Sequence, residues 1–375
     1  RRGHRPPVTM IPSPRTVRYL RAYLRGGAGP IRQEEVRLTI GGQEREATLY
    51  VPRRRSPAPA WVVLHGLTVP GRHHQALGRF VRSVAASGAV VLVPDVPAWR
   101  DLRVDLAAAR DTITEGARWL NARPEVREGH VGTVGFSFGA TQALMATTEP
   151  GVQDVLRAVV AFGGYCDVSR MLRCVFTGEH EWAGVQHRVD PDPYGRWIMT
   201  ANYLTRVPGY EGMEAVSRAA HELAMAVGHG AAFAWDPDYD PLKVELRRGL
   251  SPAERELWDL IAYPSDMPNP DLAASRELAD GFTPVVLAHD PGLDPLPRLR
   301  HLRGRIVLSH GRTDRLIPYT ETLRLQANMP PQARVSSVIT GLFAHSAHAG
   351  GTGKLDQARE AGLFIRLLNQ ALGAI

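Results

Sequence analysis

Residues 133–140 read Thr-Val-Gly-Phe-Ser-Phe-Gly-Ala. The apolar residues before the turn predict the end of a buried strand, and those after it predict a helix. A Gly-x-Ser-x-Gly turn between a strand and a helix holds its serine in a strained conformation with the hydroxyl exposed at the top of the sheet. Gly135 and Gly139 flank Ser137 because a side chain at either position would crowd the neighbouring elements. The pattern predicts that Ser137 is a nucleophile, and an ordinary loop serine is the alternative.

The composition is that of a large folded protein. The chain has 375 residues, 44% of them hydrophobic, which is enough for one large domain or a domain with an insertion. No stretch approaches the roughly 18 uninterrupted apolar residues that a membrane-spanning helix needs. The formal charge of +7 is carried almost wholly by arginine, with lysine only at Lys243 and Lys354. Because this charge is spread along the chain without a nucleic-acid motif, no nucleic-acid partner is predicted.

The compartment and the oligomeric state stay open in the sequence. Cys166 and Cys174 would form a disulfide in an exported protein and would stay free, buried thiols in a cytosolic one. We favour the free thiols, and with them slightly favour a cytoplasmic location, while export remains the alternative.

Alternating strands and helices predict the core of the fold. An apolar and polar alternation around Gly41-Gly42 predicts a β-hairpin over residues 35–52. Apolar runs then predict buried parallel strands, each followed by a helical pattern. The strands are predicted at 60–64, 89–93, 130–134 and 158–162, and the helices at 75–86, 104–120 and 140–148. This alternation predicts an α/β fold with a mostly parallel sheet and helices on both faces.

The strand and helix rhythm breaks after Gly164 and resumes near residue 303. Between these points, proline-rich links separate helical patches, and a structureless loop of that length is implausible. We therefore predict a mainly helical cap. Further strands are predicted at 305–309 and 333–339, and helices at 319–327 and 355–372. The predicted organisation is an N-terminal arm (1–34), a core (35–164 and 303–375) and the inserted cap (165–302).

The N-terminal arm contains an amphipathic pattern. Val17, Leu20, Tyr23 and Leu24 share one helical face, with arginines on the others. We expect this face to pack on the body of the protein, and contact with an anionic membrane is the alternative.

A serine hydroxyl needs a base within hydrogen-bond reach and a carboxylate to orient that base. Asp314 lies in the loop after the strand predicted at 305–309. Two histidines, His345 and His348, follow the next strand. The order Ser, Asp, His along the chain is the one expected of a strand-turn-helix nucleophile of this kind.

With these three motif regions in this order and on these elements, the chain resembles an α/β-hydrolase of the serine esterase and lipase type, with a helical cap. The resemblance implies that Ser137 is the nucleophile, Asp314 the acid and His345 the base. His348, about one helical turn further, is interpreted as a surface or supporting residue. The resemblance also implies that the backbone N–H groups of Leu67 and Phe138 bind the oxyanion.

The loop after the first buried strand offers further polar groups. We interpret His65 as structural, with its ring bonded to the loop backbone, and Thr68 as a weaker candidate for an additional oxyanion donor. His73 and His74 are interpreted as a solvated helix start, and contact with substrate is the alternative. A glycine-rich run at 350–354 lacks the residues of a phosphate-binding loop. No cofactor and no metal are expected.

The function predicted from these residues is hydrolysis of a carboxylic ester through an acyl-enzyme on Ser137. An amidase or peptidase of the same fold is the alternative among hydrolases, because one triad serves either bond. Acyl transfer to an alcohol and a non-catalytic small-molecule receptor also stay open. Aromatic side chains of the cap are candidates to line an apolar pocket, although most are expected in its core. They are Trp182, Tyr194, Trp197, Tyr203, Tyr210, Phe233 and Trp235.

Overall fold

The computed structural model describes residues 11–53, 57–230, 232–342 and 354–375. In this part of the chain, ten strands form an eight-stranded sheet and a separate two-stranded hairpin. The strands are β1 (Ile31–Ile40), β2 (Gln43–Pro52), β3 (Ala58–Leu64), β4 (Val90–Pro94), β5 (Val126–Phe136), β6 (Ala158–Phe162), β7 (Glu179–Trp182), β8 (Val185–Arg188), β9 (Gly304–Gly311) and β10 (Ala333–Thr340).

Helices connect these strands. The α-helices are α1 (Pro14–Leu24), α2 (Gln75–Ser87), α3 (Pro97–Arg100), α4 (Leu106–Asn121), α5 (Phe138–Ala146), α6 (Pro150–Gln153), α7 (Val168–Thr177), α8 (Pro193–Tyr203), α9 (Glu214–His229), α10 (Asp240–Arg248), α11 (Pro252–Ile261), α12 (Leu272–His289), α13 (Thr320–Ala327) and α14 (Lys354–Leu372). Short 3₁₀ helices lie at Gly71–His73, Leu204–Arg206, Pro237–Tyr239, Pro291–Leu293 and Leu296–His301.

The large sheet has the order β1-β2-β4-β3-β5-β6-β9-β10. β2 runs antiparallel to both of its neighbours, and the pairs from β4 to β10 are parallel. The central strands are apolar throughout because both faces of the sheet are covered. The predicted fold class, that of an α/β-hydrolase, is confirmed.

Alternate residues of the central strands face two different helical layers. Val63, Val91 and Val160 belong to the cluster formed with α1, α2 and α14. Val62 packs with α4, whose Gly116 lets the helix backbone approach this valine closely. A Cβ at Gly116 would lie 3.3 Å from the Val62 side chain. Because successive side chains of a strand point to opposite faces of the sheet, these two clusters form one apolar layer on each face.

The N-terminal helix packs on the body, but not through the whole predicted face. Tyr19 is buried and its ring lies 5.9 Å from that of Phe80 on α2. Leu24, predicted on the buried face, is the last residue of α1 and is 79% exposed. The following strand also begins at Ile31 rather than Glu35, so part of the predicted arm belongs to the sheet.

The stretch between β6 and β9 contains mostly helices, as predicted, and one element that was not predicted. β7 and β8 form an antiparallel hairpin through Ala183 and Gly184, both with positive φ. Cys166 and Cys174 are buried and unbridged. Among the described residues, no helix is both long enough and apolar enough to span a membrane.

Candidate active site

Ser137 lies between β5 and α5 in a strained backbone conformation. Its φ of 55° and ψ of −127° are rare for a residue with a side chain and cost about 1–3 kcal/mol. The Ser137 N–H donates to the carbonyl of Phe162 on the neighbouring strand (N–O 2.8 Å). This bond fixes the turn at the carboxyl ends of β5 and β6, with the serine partly exposed.

The two glycines of the turn are required by close backbone approach. A Cβ at Gly135 would lie 2.2 Å from the Gly139 carbonyl oxygen. A Cβ at Gly139 would lie 2.3 Å from the carbonyl oxygen of His65. The predicted crowding at both positions is confirmed, and α5 therefore starts directly against the end of β3.

The loop after β3, residues 65–74, lies beside the serine, and we call it the β3 loop. A Cβ at Gly66 would lie 3.3 Å from the Ser137 Cβ and 3.8 Å from its Oγ. Within the described residues, the Leu67 N–H donates to no acceptor. Phe138 is the first residue of α5, a position whose N–H has no acceptor in its own helix. The N–H groups of Leu67, which follows Gly66, and of Phe138, which follows Ser137, are thus uncommitted among the described residues.

His65 holds the start of the β3 loop as a buried, neutral ring. Its Nδ1 donates to the Gly66 carbonyl (2.7 Å), and its Nε2 accepts from the Val96 N–H (3.3 Å). Burial lowers the pKa of His65, which keeps the ring neutral. The structural interpretation of His65 is confirmed. His73 and His74, further along the loop, are exposed.

The side chain of Trp99 packs against both the β3 loop and the start of α5. The buried ring of Trp99 lies edge-on to both His65 (5.8 Å) and Phe138 (5.1 Å). Its Nε1–H donates to the carbonyl of Asp105 (2.9 Å), which fixes the ring. The β3 loop and the start of α5 therefore pack on a common aromatic group.

Arg72 ties the β3 loop to the hairpin of β1 and β2. Its buried guanidinium donates to the Glu46 carboxylate and the Thr48 hydroxyl (both 2.7 Å) and pairs with Glu35. The sequence alone does not predict this role. The partners of Arg72 lie on β1 and β2, 24 to 37 residues earlier in the chain, so no local pattern marks it.

Asp314 follows β9 in the loop that we call the acid loop, residues 312–318. The carboxylate is buried, and its Oδ1 accepts from the N–H groups of Leu316 (2.9 Å) and Ile317 (3.1 Å). His310, missed in the sequence analysis, lies 3.5 Å from Asp314 Oδ2 through its Nε2. Both nitrogens of His310 are bonded, to the Thr322 hydroxyl and the Ile317 carbonyl (2.8 Å each). His310 therefore supports the acid loop.

The strand order brings the serine and the acid loop to the same edge of the sheet. β6 lies between β5 and β9, and the Gly163 N–H after β6 donates to the Ser309 carbonyl on β9 (2.8 Å). Neighbouring strands are about 4.8 Å apart, so the two loops leave the sheet about 10 Å from each other. His345 and His348 lie outside the described residues.

Helices from the stretch between β6 and β9 touch both loops. On α9, a Cβ at Gly228 would lie 2.3 Å from the Val69 side chain in the β3 loop. On α8, a Cβ at Gly195 would lie 2.8 Å from Leu316 in the acid loop. The hydroxyl of Tyr194 is buried beside Gly228 and has no hydrogen-bond partner among the described residues. A polar group is thus available next to the β3 loop.

Asp192 begins α8 beside the acid loop. Its Oδ1 accepts from the Tyr194 N–H (3.0 Å), and its own N–H donates to the Arg315 carbonyl (2.9 Å). Burial, with a further contribution from the charge of Asp314, raises the pKa of Asp192 to about 6.

The predicted aromatic residues divide between core and surface. Trp197 and Tyr203 are fully buried, which agrees with the expectation that most pack in the core. Phe233 and Trp235 stack with ring centroids 4.7 Å apart. The Arg315 guanidinium lies over the Trp235 ring at 4.4 Å, so this pair contacts the acid loop.

Comparison with known proteins gave structural matches. No family model and no curated protein sequence matches the chain. Brefeldin A esterase, a bacterial homologue of human hormone sensitive lipase, matches at 16% identity and a TM-score of 0.49, over 98% of this chain and 87% of its own. An esterase of Pyrobaculum calidifontis matches at 14% identity and a TM-score of 0.47, over 100% of this chain and 97% of its own. Acylaminoacyl peptidase of Pyrococcus horikoshii matches at 13% identity and a TM-score of 0.47, over 93% of this chain and 43% of its own. This chain therefore spans less than half of that protein.

Proposed function

We propose that this chain, which has the α/β-hydrolase fold, is a serine hydrolase that cleaves a carboxylic ester through an acyl-enzyme on Ser137. The observation that carries the proposal is the strained turn that holds Ser137 partly exposed beside Gly66. The N–H groups of the residues that follow these two, Phe138 and Leu67, are uncommitted among the described residues. Strain of this kind persists where the surrounding structure enforces it, and it is concentrated at functional sites.

In this proposal, His345 removes the proton from Ser137 Oγ as the oxygen attacks the carbonyl carbon of the ester. The N–H groups of Leu67 and Phe138 bind the oxyanion, each lowering the barrier by a few kcal/mol. His345 then gives its proton to the alcohol that leaves, and a water activated by the same imidazole hydrolyses the acyl-enzyme. Asp314 orients the imidazole.

The reach of the chain is compatible with His345 as the base. β10 ends at Thr340 beside β9, and the Arg312 N–H in the acid loop donates to the Thr340 carbonyl (2.9 Å). From Leu342, the last residue described before the gap, three residues span at most about 10 Å. Because β10 is the neighbour of β9, about 5 Å away, that reach is long enough to bring residue 345 to the acid loop.

We further propose that residues 165–302 act as the cap of this site and form the substrate pocket. The proposal rests on the contacts of α9 with the β3 loop and of α8 with the acid loop. The unpartnered Tyr194 hydroxyl is the polar group that we assign to substrate binding there, because a buried hydroxyl without a partner is costly unless a ligand satisfies it.

The test is hydrolysis of p-nitrophenyl acetate, butyrate, octanoate and palmitate by the wild type, by Ser137→Ala and by Ser336→Ala, a serine-to-alanine control on β10. We expect turnover by the wild type and the control and its loss, by at least about 1,000-fold, in Ser137→Ala. A fluorophosphonate probe, whose phosphorus is attacked by the serine oxygen with loss of fluoride, should label only the two active proteins. Acyl p-nitroanilides in the same assay separate esterase from amidase activity. No turnover and no labelling of the wild type would leave a small-molecule receptor as the better interpretation.

A further inference from the structure

A basic pocket lies at the end of the large sheet opposite Ser137, where β5, β6, β9 and β10 begin. Its volume is about 490 Å³. The side chains that line it include no Asp or Glu, and the lining residues are His130, Leu156, Arg157, Arg305, Arg334, Ala374 and Ile375. We call it the strand-start pocket.

The register of the sheet places two of these arginines side by side. Arg305 and Arg334 are direct partners in the ladder between β9 and β10. Arg157 immediately precedes Ala158, which is the ladder partner of Arg305 on β6. Like charges directly opposite one another on neighbouring strands destabilise a sheet. Arg305 and Arg334 therefore repel each other, and Arg157 adds a third positive charge just before β6.

Among the described residues, no Asp or Glu side chain pairs with these arginines. None of the three arginines forms a salt bridge there, whereas other arginines such as Arg72 and Arg276 pair with carboxylates. Arg305 donates through Nη1 to the Gly373 carbonyl (2.9 Å), which orients its guanidinium. Ile375 also lines the pocket, and its main-chain oxygen accepts from Arg15, which does not line the pocket (3.2 Å).

We propose that the strand-start pocket binds a phosphate group. Guanidinium groups present forked N–H donors that match phosphate oxygens, and three of them around one cavity supply donors and charge for a dianion. The cavity is larger than inorganic phosphate, so it also accommodates part of the molecule that carries the phosphate. A soluble phosphate ester and a phospholipid headgroup share this chemistry. The site is separate from Ser137 and does not depend on the function proposed for it.

The test compares the wild type with the double variant Arg157→Gln/Arg334→Gln. Both side chains are exposed, so their loss should leave the fold intact, as circular dichroism checks. Arg37→Gln/Arg118→Gln, two exposed arginines outside the pocket, is the control with the same loss of charge. Binding of inorganic phosphate is measured by calorimetry at constant ionic strength in chloride. Binding to phosphatidylcholine vesicles with and without phosphatidic acid is measured by flotation.

We expect the wild type and the control to bind phosphate and the double variant to bind it at least about tenfold more weakly, because hydrogen bonds between charged groups are lost. Fluorophosphonate labelling of Ser137 should be equal in all three proteins, which separates this proposal from the first. Binding confined to vesicles with phosphatidic acid, and lost in the double variant alone, assigns the pocket to a lipid headgroup. Phosphate binding that is absent from both measurements, or equal in the wild type and the double variant, overturns the proposal.

Discussion

Gly66 shows how strongly a single residue controls the proposed site. A methyl group at this position would lie 3.3 Å from the Ser137 Cβ and 3.4 Å from the Phe136 carbonyl oxygen, closer than most real contacts of this kind. The β3 loop would have to move away from Ser137, and the Leu67 N–H would move with it. We therefore expect Gly66→Ala to lower kcat at least about tenfold while leaving the fold intact, since displacing one oxyanion donor costs about 100-fold or more.

The control for Gly66→Ala is Gly151→Ala, where an added methyl group meets nothing within 4 Å. Steady-state kinetics on p-nitrophenyl butyrate and thermal unfolding of both variants make the comparison. Equal kcat values in Gly66→Ala and Gly151→Ala would contradict the assignment of Leu67 as an oxyanion donor.

Individual residues differ in how far the sequence predicts them. The roles of Gly135, Ser137 and Gly139 follow from a local turn, so the pattern was sufficient to predict their backbone geometry. Arg72 and His310 were missed because their roles depend on partners that only the folded sheet brings near. His345 remains a prediction, since it lies outside the described residues.

At the scale of elements, the start of α8 carries a pH dependence. Asp192 has an ordinary pKa of 3.8 in an unfolded chain and a pKa raised to about 6 by burial in the folded protein. Between these values the folded state keeps a proton that the unfolded state has lost, so stability falls as the pH rises from about 4 to about 6. Above that window, the buried ionised carboxylate lowers the free energy of unfolding by about 3 kcal/mol relative to its value below pH 4.

We expect Asp192→Asn to remove this decline, because asparagine is neutral at every pH and keeps an oxygen for the Tyr194 N–H. Near neutral pH the variant should be more stable than the wild type by up to about 3 kcal/mol. Urea unfolding from pH 4 to pH 8 measures the effect. Asp271→Asn, the same change at the exposed N-cap of α12, is the control. A wild-type stability profile that Asp192→Asn leaves unchanged contradicts the assignment.

Among the elements, apolar strands were predicted better than polar ones. The central strands are continuous apolar runs because both of their faces are covered by helices, and such runs are easy to recognise in a sequence. β7 and β8 were missed because Glu179–Trp182 and Val185–Arg188 are short and mostly polar, so no apolar alternation marks them. Their pairing depends on the turn at Ala183 and Gly184, which carries neither of the common Asn-Gly or Asp-Gly pairs.

At the scale of the whole molecule, one apolar cluster joins the proposed cap to the sheet. It contains Leu64 and Leu308 of the sheet together with Trp197, Leu223 and Phe282 of the helices between β6 and β9. The sequence predicted an insertion at 165–302, but a shared core depends on which helical faces meet the sheet, and periodicity does not specify the partner of an apolar face. Because the burial is shared, we propose that the cap and the core unfold together.

The substitution Leu223→Ala tests this coupling. Leu223 on α9 is completely buried, and its truncation should cost about 2–5 kcal/mol. If the unit is cooperative, hydrogen exchange in urea should show α9 and the strands β5 and β6 losing protection at the same, lower urea concentration. Val244→Ala on α10, where the valine is 49% exposed, should change stability by less than about 0.5 kcal/mol. Early loss of protection in α9 alone, with β5 and β6 as stable as in the wild type, would show instead that the cap is an independent folding unit.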